Sequence, residues 1–409
     1  MYLVFRLAWR NLWRHPKRTW LTTGAMLFSN VILVFMISLQ FGMYDLMIDN
    51  SLRSFTGHLQ VQAPGYKDDQ KMRQTVADIA SLATSLRAAL GSDDVAARGA
   101  AFALVSSEDR SYGIAVYGVE PGYETNVSTI PGLIIAGRYL RDAAAAEIVI
   151  GAALARNLRV GLGDELTLLG SGRDGSFAAA IVNVVGIFDS GLADIDRSIA
   201  EIPLDFFQDM FHMEGAGHEI VINAPIIDAV PELQRQVGAL LPSGQELVVH
   251  DWDALLPGLK QAIRADMSGA FFMYGILVIL VAFSVLNTQL MSVLERTHEF
   301  GIVMALGLTP GRLGRLVLLE TAIMGLLGLL LGALLGTLLT AYFSVYGFAY
   351  PGMQEMAEKF NLPAEFFPQL SPLTLLAGPI VVFLFTMLSA LYPALRLHWL
   401  HPVEAMRAV

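Results

Sequence analysis

The chain has no cysteine among its 409 residues. Disulfide staples, thiolate metal ligands and cysteine nucleophiles are therefore excluded. Charge is scarce: Asp, Glu, Lys and Arg make up 16%, where a soluble domain carries about a quarter. There is no G-x-x-x-x-G-K-[ST] and no Gly-Lys dipeptide anywhere, so the phosphate cradle of a P-loop is missing. A G-x-S-x-G nucleophile elbow is absent as well. His212, Glu214, His218 and Glu219 fit no metalloprotease spacing and read as a surface loop. Neither a catalytic residue nor a metal site is expected.

What is abundant is apolar sequence, 54% of the chain, gathered into four runs at about 21–48, 268–294, 316–346 and 372–397. Each is long enough to cross roughly 30 Å of hydrocarbon. The first is too long for a signal-peptide core, and no small-x-small cleavage site follows it. Residues 1–20 carry Arg6, Arg10, Arg14, Lys17 and Arg18 without any acid. Residues 49–266 carry 16 Lys/Arg against 29 Asp/Glu, a balance of −13. Basic loops favour the cytoplasmic side, and Arg296, Arg312, Arg315, Arg396 and Arg407 fall where four spans put them inside. The expected division is a cytosolic amphipathic helix (1–20), a first span (21–48), a periplasmic domain with its stalk (49–267) and a second span (268–294). A cytosolic loop (295–315), a third span (316–346), a short outer loop (347–371), a fourth span (372–397) and a cytosolic tail (398–409) complete it. An acidic outer domain argues against nucleic acid as a partner.

Within 2–15, Tyr2, Phe5, Trp9 and Trp13 fall on an arc beside that of Arg6, Arg10 and Arg14. Such a helix lies in the headgroup region, Trp anchoring and Arg reaching phosphate; Pro16 then breaks it from the first span. The outer domain shows strand patterns at 58–62, 113–119, 147–150, 165–169, 180–188 and 219–223, and helical patterns at 75–90, 152–157, 204–211 and 227–241. This interleaving indicates an α/β or α+β domain. The third run carries Gly328, Gly332 and Gly336 in two G-x-x-x-G steps, a flat face for another helix of this chain or of a second subunit.

Between the second and third runs stands ERTHEFGIVMALGLTPGRLGRL (295–316). It reads as a short helix with Gly301 and Ala305 on one face, a stop, and a new helix begun by Thr309 as N-cap and Pro310. A plain connection needs only a few polar residues, so a separate helix with an apolar face points to a docking partner. Arg312 and Arg315 at the new helix start oppose its dipole unless lipid phosphate offsets them. Glu320 is expected to be satisfied by Arg312, Arg315 or interfacial water.

This string resembles the signature between the second and third spans of FtsX-like/MacB-type ABC transporter permeases, whose members include MacB, LolC and LolE. RLAWRNLWRHPKRTWLT, EIVIGAALARNLRVGLGDELTLL, VVGIFDSG and YPALRLHWLHPVEAMR resemble further stretches in the same order. The layout is closest to the lipoprotein-releasing LolC/LolE. The resemblance implies an α-helical membrane protein with four transmembrane helices and a large α+β extracytoplasmic (MacB-like periplasmic core) domain between the first two. It implies a multi-pass inner-membrane location and no cofactor in this chain, ATP and Mg being bound by a dimer of partner ATPase subunits. Glu295, Arg296, His298, Glu299, Phe300, Gly301, Met304, Ala305 and Gly307 would then form the ATPase-coupling helix. A second permease copy or paralogue, membrane lipid, and a lipoprotein substrate or periplasmic adaptor are the other implied partners. The alternatives are a MacB-like efflux permease and a regulator that transports nothing. A secondary transporter is disfavoured, because no inverted repeat is found.

Overall fold

A computed structural model of the chain describes residues 2–14, 16–349, 351–352 and 365–399. It contains a helical unit, built from residues before 45, from 262 to 349 and after 364, and an α+β unit built chiefly from Asp45–Gln261. Helix α1 (Tyr2–Arg14) is separated by one residue from α2 (Pro16–Ser51). Thus α2 begins five residues before the apolar run: Pro16 lacks an N–H, and a first helical position needs none. A π turn over Leu52–Thr56 follows and ends at Gly57, whose φ of +75° suits a residue without Cβ.

In the α+β unit the elements are β1 (Leu59–Gln62), α3 (Ile79–Leu90), β2 (Val95–Ser106), β3 (Ser111–Val119), α4 (Pro121–Val127) and β4 (Ile134–Gly137). Next come β5 (Glu147–Gly151), α5 (Ala152–Leu158), β6 (Glu165–Ser171), β7 (Phe177–Phe188), α6 (Ala193–Ser198) and β8 (Ile199–Pro203). The last are α7 (Leu204–Met210), β9 (Glu219–Ile222), α8 (Val230–Leu240), β10 (Val248–Asp251) and α9 (Trp252–Leu255). The strands run in the order β10-β1-β9-β2-β3-β8-β5-β7-β4, with β6 joining β7 back to β2. Strands β2, β3, β8, β5, β7 and β6 therefore close into a ring. Its interior is small and aliphatic, with Ala103, Val105, Val116, Leu166, Val182 and Ala200 in one buried cluster with α5 and α7 residues. A second cluster unites β1, β9 and the start of β2 with α3 and α8 through Leu59, Ile79, Leu86, Val95, Ile220 and Val237.

All six expected strands are present, the last shortened to Glu219–Ile222. Four others, β2, β4, β8 and β10, had no legible pattern. After β10 a short helix, α9, is capped by Asp251 accepting from the Ala254 N–H at 3.0 Å, and the chain breaks before Pro257, where α10 (Pro257–Glu295) begins. After it come α11 (Thr297–Ala305), α12 (Pro310–Tyr346) and α13 (Pro372–Arg396). Four helical stretches, Pro16–Thr56, Pro257–Glu295, Pro310–Tyr346 and Pro372–Trp399, are long and apolar enough to cross a membrane. The C-terminal string from 400 onward, Arg407 included, and most of 347–371 lie outside the described residues.

The glycine face of α12 meets α2 of the same chain. A Cβ on Gly328 would stand 2.8 Å from Met26 Cβ, one on Gly332 2.5 Å from Asn30 Cβ and one on Gly336 2.9 Å from Val34 Cβ. Asn30 Nδ2 donates to the Gly328 carbonyl at 3.1 Å. Close backbone approach is what small residues supply where water drives no burial. Gly332→Val should therefore lower the detergent-melting midpoint, at a cost of about 1–3 kcal/mol. Gly275→Ala on α10, with no atom within 4 Å of its Cβ position, should leave it unchanged.

Candidate coupling site

The segment 295–316 folds as a helix, a stop and a restart. Helix α11 is nine residues long. It stops because Gly307 takes a φ of +97°, and Thr309 is extended before Pro310 opens α12. Thr309 holds the N-cap position as expected, but its side chain makes no capping hydrogen bond.

A ladder of ion pairs ties α11 and the end of α10 to their neighbours. Arg18 on α2 pairs with Glu295 at 3.3 Å, and Arg14 on α1 with Glu299 at 3.0 Å. Arg296 reaches Glu299 at 3.6 Å and Glu320 on α12 at 3.2 Å, and its guanidinium lies 4.9 Å over the Phe300 ring. Asn11 Nδ2 donates to Glu320 Oε1 at 2.7 Å. Glu320 is thus buried and satisfied by Arg296 and Asn11. The expected partners, Arg312 and Arg315, are exposed and make no ion pair among the described residues. The exposed Arg14–Glu299 pair contributes about 0.2–1 kcal/mol; Arg296–Glu320, shielded from solvent, costs far more to break. Arg296→Met should destabilise the helical unit by about 3 kcal/mol, because Glu320 loses its counter-charge. Adding Glu320→Leu should recover most of the lost melting temperature.

The candidate residues of this segment divide by exposure. Phe300, Gly301 and Met304 are buried, Phe300 and Met304 in a cluster with Val293, Leu313, Val317 and Leu397. Their side of α11 is filled by the chain itself. Glu295, Arg296 and Glu299 are engaged in the ladder. His298, Ala305 and Gly307 are exposed, and beside them stand Ile302 (43% exposed) and Leu306 (80%). Those two were missed; the 3.6-residue period would have placed Ile302 and Ala305 on a face away from Phe300 and Met304.

Around this site, Ala8 and Leu12 form the buried side of α1 while Arg6, Trp9, Arg10, Trp13 and Arg14 are exposed. Trp13 makes edge contacts with Trp9 at 6.0 Å and Trp20 at 6.2 Å, and Thr19 Oγ1 donates to the Leu12 carbonyl at 2.7 Å. In the α+β unit, His212 lies on a turn with a φ of +55°, whereas His218 is buried against Tyr66, ring centroids 5.0 Å apart. Among the described residues no cluster of His, Cys, Asp or Glu is arranged to hold a metal.

Residues 271–402 match the FtsX-like permease C-terminal region, and residues 19–240, more than half the chain, match the MacB-like periplasmic core domain. The chain belongs to this family of FtsX-like, MacB-type permeases. The permease is similar to the lipoprotein-releasing system transmembrane protein LolC of Neisseria meningitidis, 24% identical over 56% of this chain and 56% of that protein. It is also similar to LolC of Xylella fastidiosa, 23% identical over 64% of each. It thus spans between half and two thirds of the length of these curated relatives. Among solved structures it is similar to the periplasmic region of MacB from Actinobacillus actinomycetemcomitans, 16% identical, covering 53% of this chain and 95% of that one with a TM-score of 0.36. Residues 295–316 and the glycine face both lie within the FtsX-like region.

Proposed function

We propose that this permease is the membrane subunit of an ABC transporter, and that α11 receives the motion of a separate ATPase dimer. The observation that carries this reading is the division of α11 into two sides. One side is locked to α1, α10 and α12 by ion pairs and packing; the other presents Ile302, Ala305 and Leu306 with His298. An apolar patch on a rigidly held helix suits a partner that pushes, because displacement of α11 is passed directly to the long helices. In this arrangement α11 and both termini face the cytosol, the α+β unit lies in the periplasm, and ATP and Mg are bound by the partner alone. Arg312, Arg315, Arg6 and Arg10 face lipid phosphate at the inner surface. The work is done on a lipoprotein or similarly lipid-like substrate, by analogy with the LolC relatives. A second permease, as a copy or a paralogue, completes the complex, since four spans alone enclose little.

Purification in mild detergent, followed by identification of bound chains, tests the proposal. An ATPase should co-purify with a second permease and acylated protein. Recovery of a periplasmic adaptor without lipoprotein would move the assignment to efflux. Absence of any ATPase, with the fold intact, would overturn it.

A further inference from the structure

Helices α2 and α10 are the two that run on into the α+β unit, and they lie antiparallel along each other. Met26, Leu33 and Ile37 of α2 share one buried cluster with Tyr274, Val278, Val281 and Val285 of α10. Such apolar packing sets register weakly inside a membrane, where lipid tails are as apolar as the side chains. Polar ties stand at both ends instead. At one end Arg18 meets Glu295 at 3.3 Å. At the other, Tyr44 Oη donates to Asp266 Oδ2 at 2.6 Å, and Gln40 Nε2 donates to Tyr44 Oη at 2.7 Å and to Asp266 Oδ2 at 3.2 Å. Tyr274 Oη donates to Gln40 Oε1 at 2.7 Å. From Arg18 to Tyr44 the helix rises about 39 Å at 1.5 Å per residue, more than the roughly 30 Å of hydrocarbon. The two ties therefore fall at opposite membrane surfaces.

We infer that Gln40, Tyr44, Asp266 and Tyr274 form an outer-surface clasp that makes α2 and α10 move as one rigid lever, so that motion entering at α11 reaches the α+β unit as a common displacement rather than a scissoring of its two attachments. A pair tied at one end alone can pivot; a pair tied a bilayer apart can neither pivot nor slide. Asp266 is the positioning residue, because it accepts from two side chains of α2 and is their only shared acceptor among the described residues.

The inference rests on the transporter reading for its use, but the clasp is testable without it. The chain contains no cysteine, so nitroxides on Met43→Cys and Phe271→Cys, both exposed beside the clasp, report on α2 and α10 alone. In the chain by itself, in nanodiscs, these labels should show strong dipolar broadening. Asp266→Leu should remove most of it, and Asp266→Asn, which keeps an acceptor oxygen, should retain it. With the ATPase bound, addition of ATP should leave the wild-type spectrum unchanged and alter that of Asp266→Leu, a nucleotide response that a purely structural defect would not create. Unchanged broadening in Asp266→Leu, or an ATP-dependent change in the wild type, would overturn the lever. Failure to recover an ATPase would count against the transporter reading only, leaving the lever to be decided by the isolated chain.

Discussion

Leu306→Asp is expected to release the ATPase from the membrane subunit while leaving that subunit folded. Leu306 is 80% exposed, so its replacement removes no packing from the helical unit. In the proposed complex the same side chain is buried against the partner, where a fully buried leucine contributes about 1.5–3 kcal/mol. Its loss alone weakens association about 10- to 100-fold, and a buried unpaired carboxylate adds to that. Ile302→Asp should behave alike, being on the same open side. Phe300→Ala should give the opposite pattern: a lower melting temperature, because it opens a cavity among Val293, Leu313 and Leu397, but retained binding wherever the protein remains folded. Co-purification of the ATPase alongside thermal melting separates the two classes. Tight binding by Leu306→Asp would show that the docking face lies elsewhere.

Arg98→Met should destabilise the α+β unit by about 3–5 kcal/mol, the cost of breaking a buried ion pair by removing one partner. Arg98 is completely buried on β2. It forks onto Glu124, donating Nε at 3.1 Å, and lies 3.8 Å from Glu219. Its Nη1 also donates to the Phe55 carbonyl at 2.6 Å, with the guanidinium 4.2 Å over the Phe55 ring. One side chain thus fastens the π turn that follows α2 to the centre of the sheet. Glu201 shares this buried face, accepting from Tyr139 at 2.6 Å. Burial first, and then the Glu124 charge, push its pKa from 4.5 up to about 8. Glu219 is raised in the same direction, again by burial first.

The sign follows from linkage. Glu201 retains a proton in the folded unit where the unfolded chain has lost it, so its stabilisation is complete below pH 4.5 and is lost as pH rises through about 8. His218 acts against it below pH 6.5, because burial lowers its pKa to about 4. Between about pH 6.5 and 8, where His218 no longer opposes it, stability should fall as pH rises. Glu201→Gln should flatten that slope and raise the melting midpoint at pH 8. Urea denaturation at several pH values measures both effects, and an equal slope in the variant would remove Glu201 from the account.

Much of this architecture could be read from the residue order alone, and the unread parts share a cause. The membrane helices announce themselves by length. Strands β3 and β7 do so by alternation, since each has one face in the core and one in solvent. Strand β2 begins with five consecutive buried residues and is rich in alanine, so no period of two marks it; β8 is buried along four of its five residues. Nothing near Arg98 in the sequence marks it as buried, because its partners Glu124 and Glu219 lie 26 and 121 residues away. Glu320 was assigned to the arginines nearest in sequence, whereas its partner Arg296 comes from the turn between α10 and α11. In α11 the periodicity separated two faces, but only tertiary packing decides which one the chain fills.

The pairing of β1 with β10 has a consequence for how such a protein is assembled and varied. Leu59 sits opposite Asp251, so the points where the chain enters and leaves the α+β unit are neighbouring strands about 4.8 Å apart. A unit whose ends meet in this way can be inserted between two adjacent antiparallel helices without spreading them. It also stays incomplete during synthesis until its last strand emerges, just ahead of α10, so the unit closes only as the second membrane helix is being made. Exchange of the whole segment between related permeases, with cuts beside β1 and β10, should therefore leave the membrane hairpin undisturbed, as judged by the melting midpoint of the chimaera in detergent.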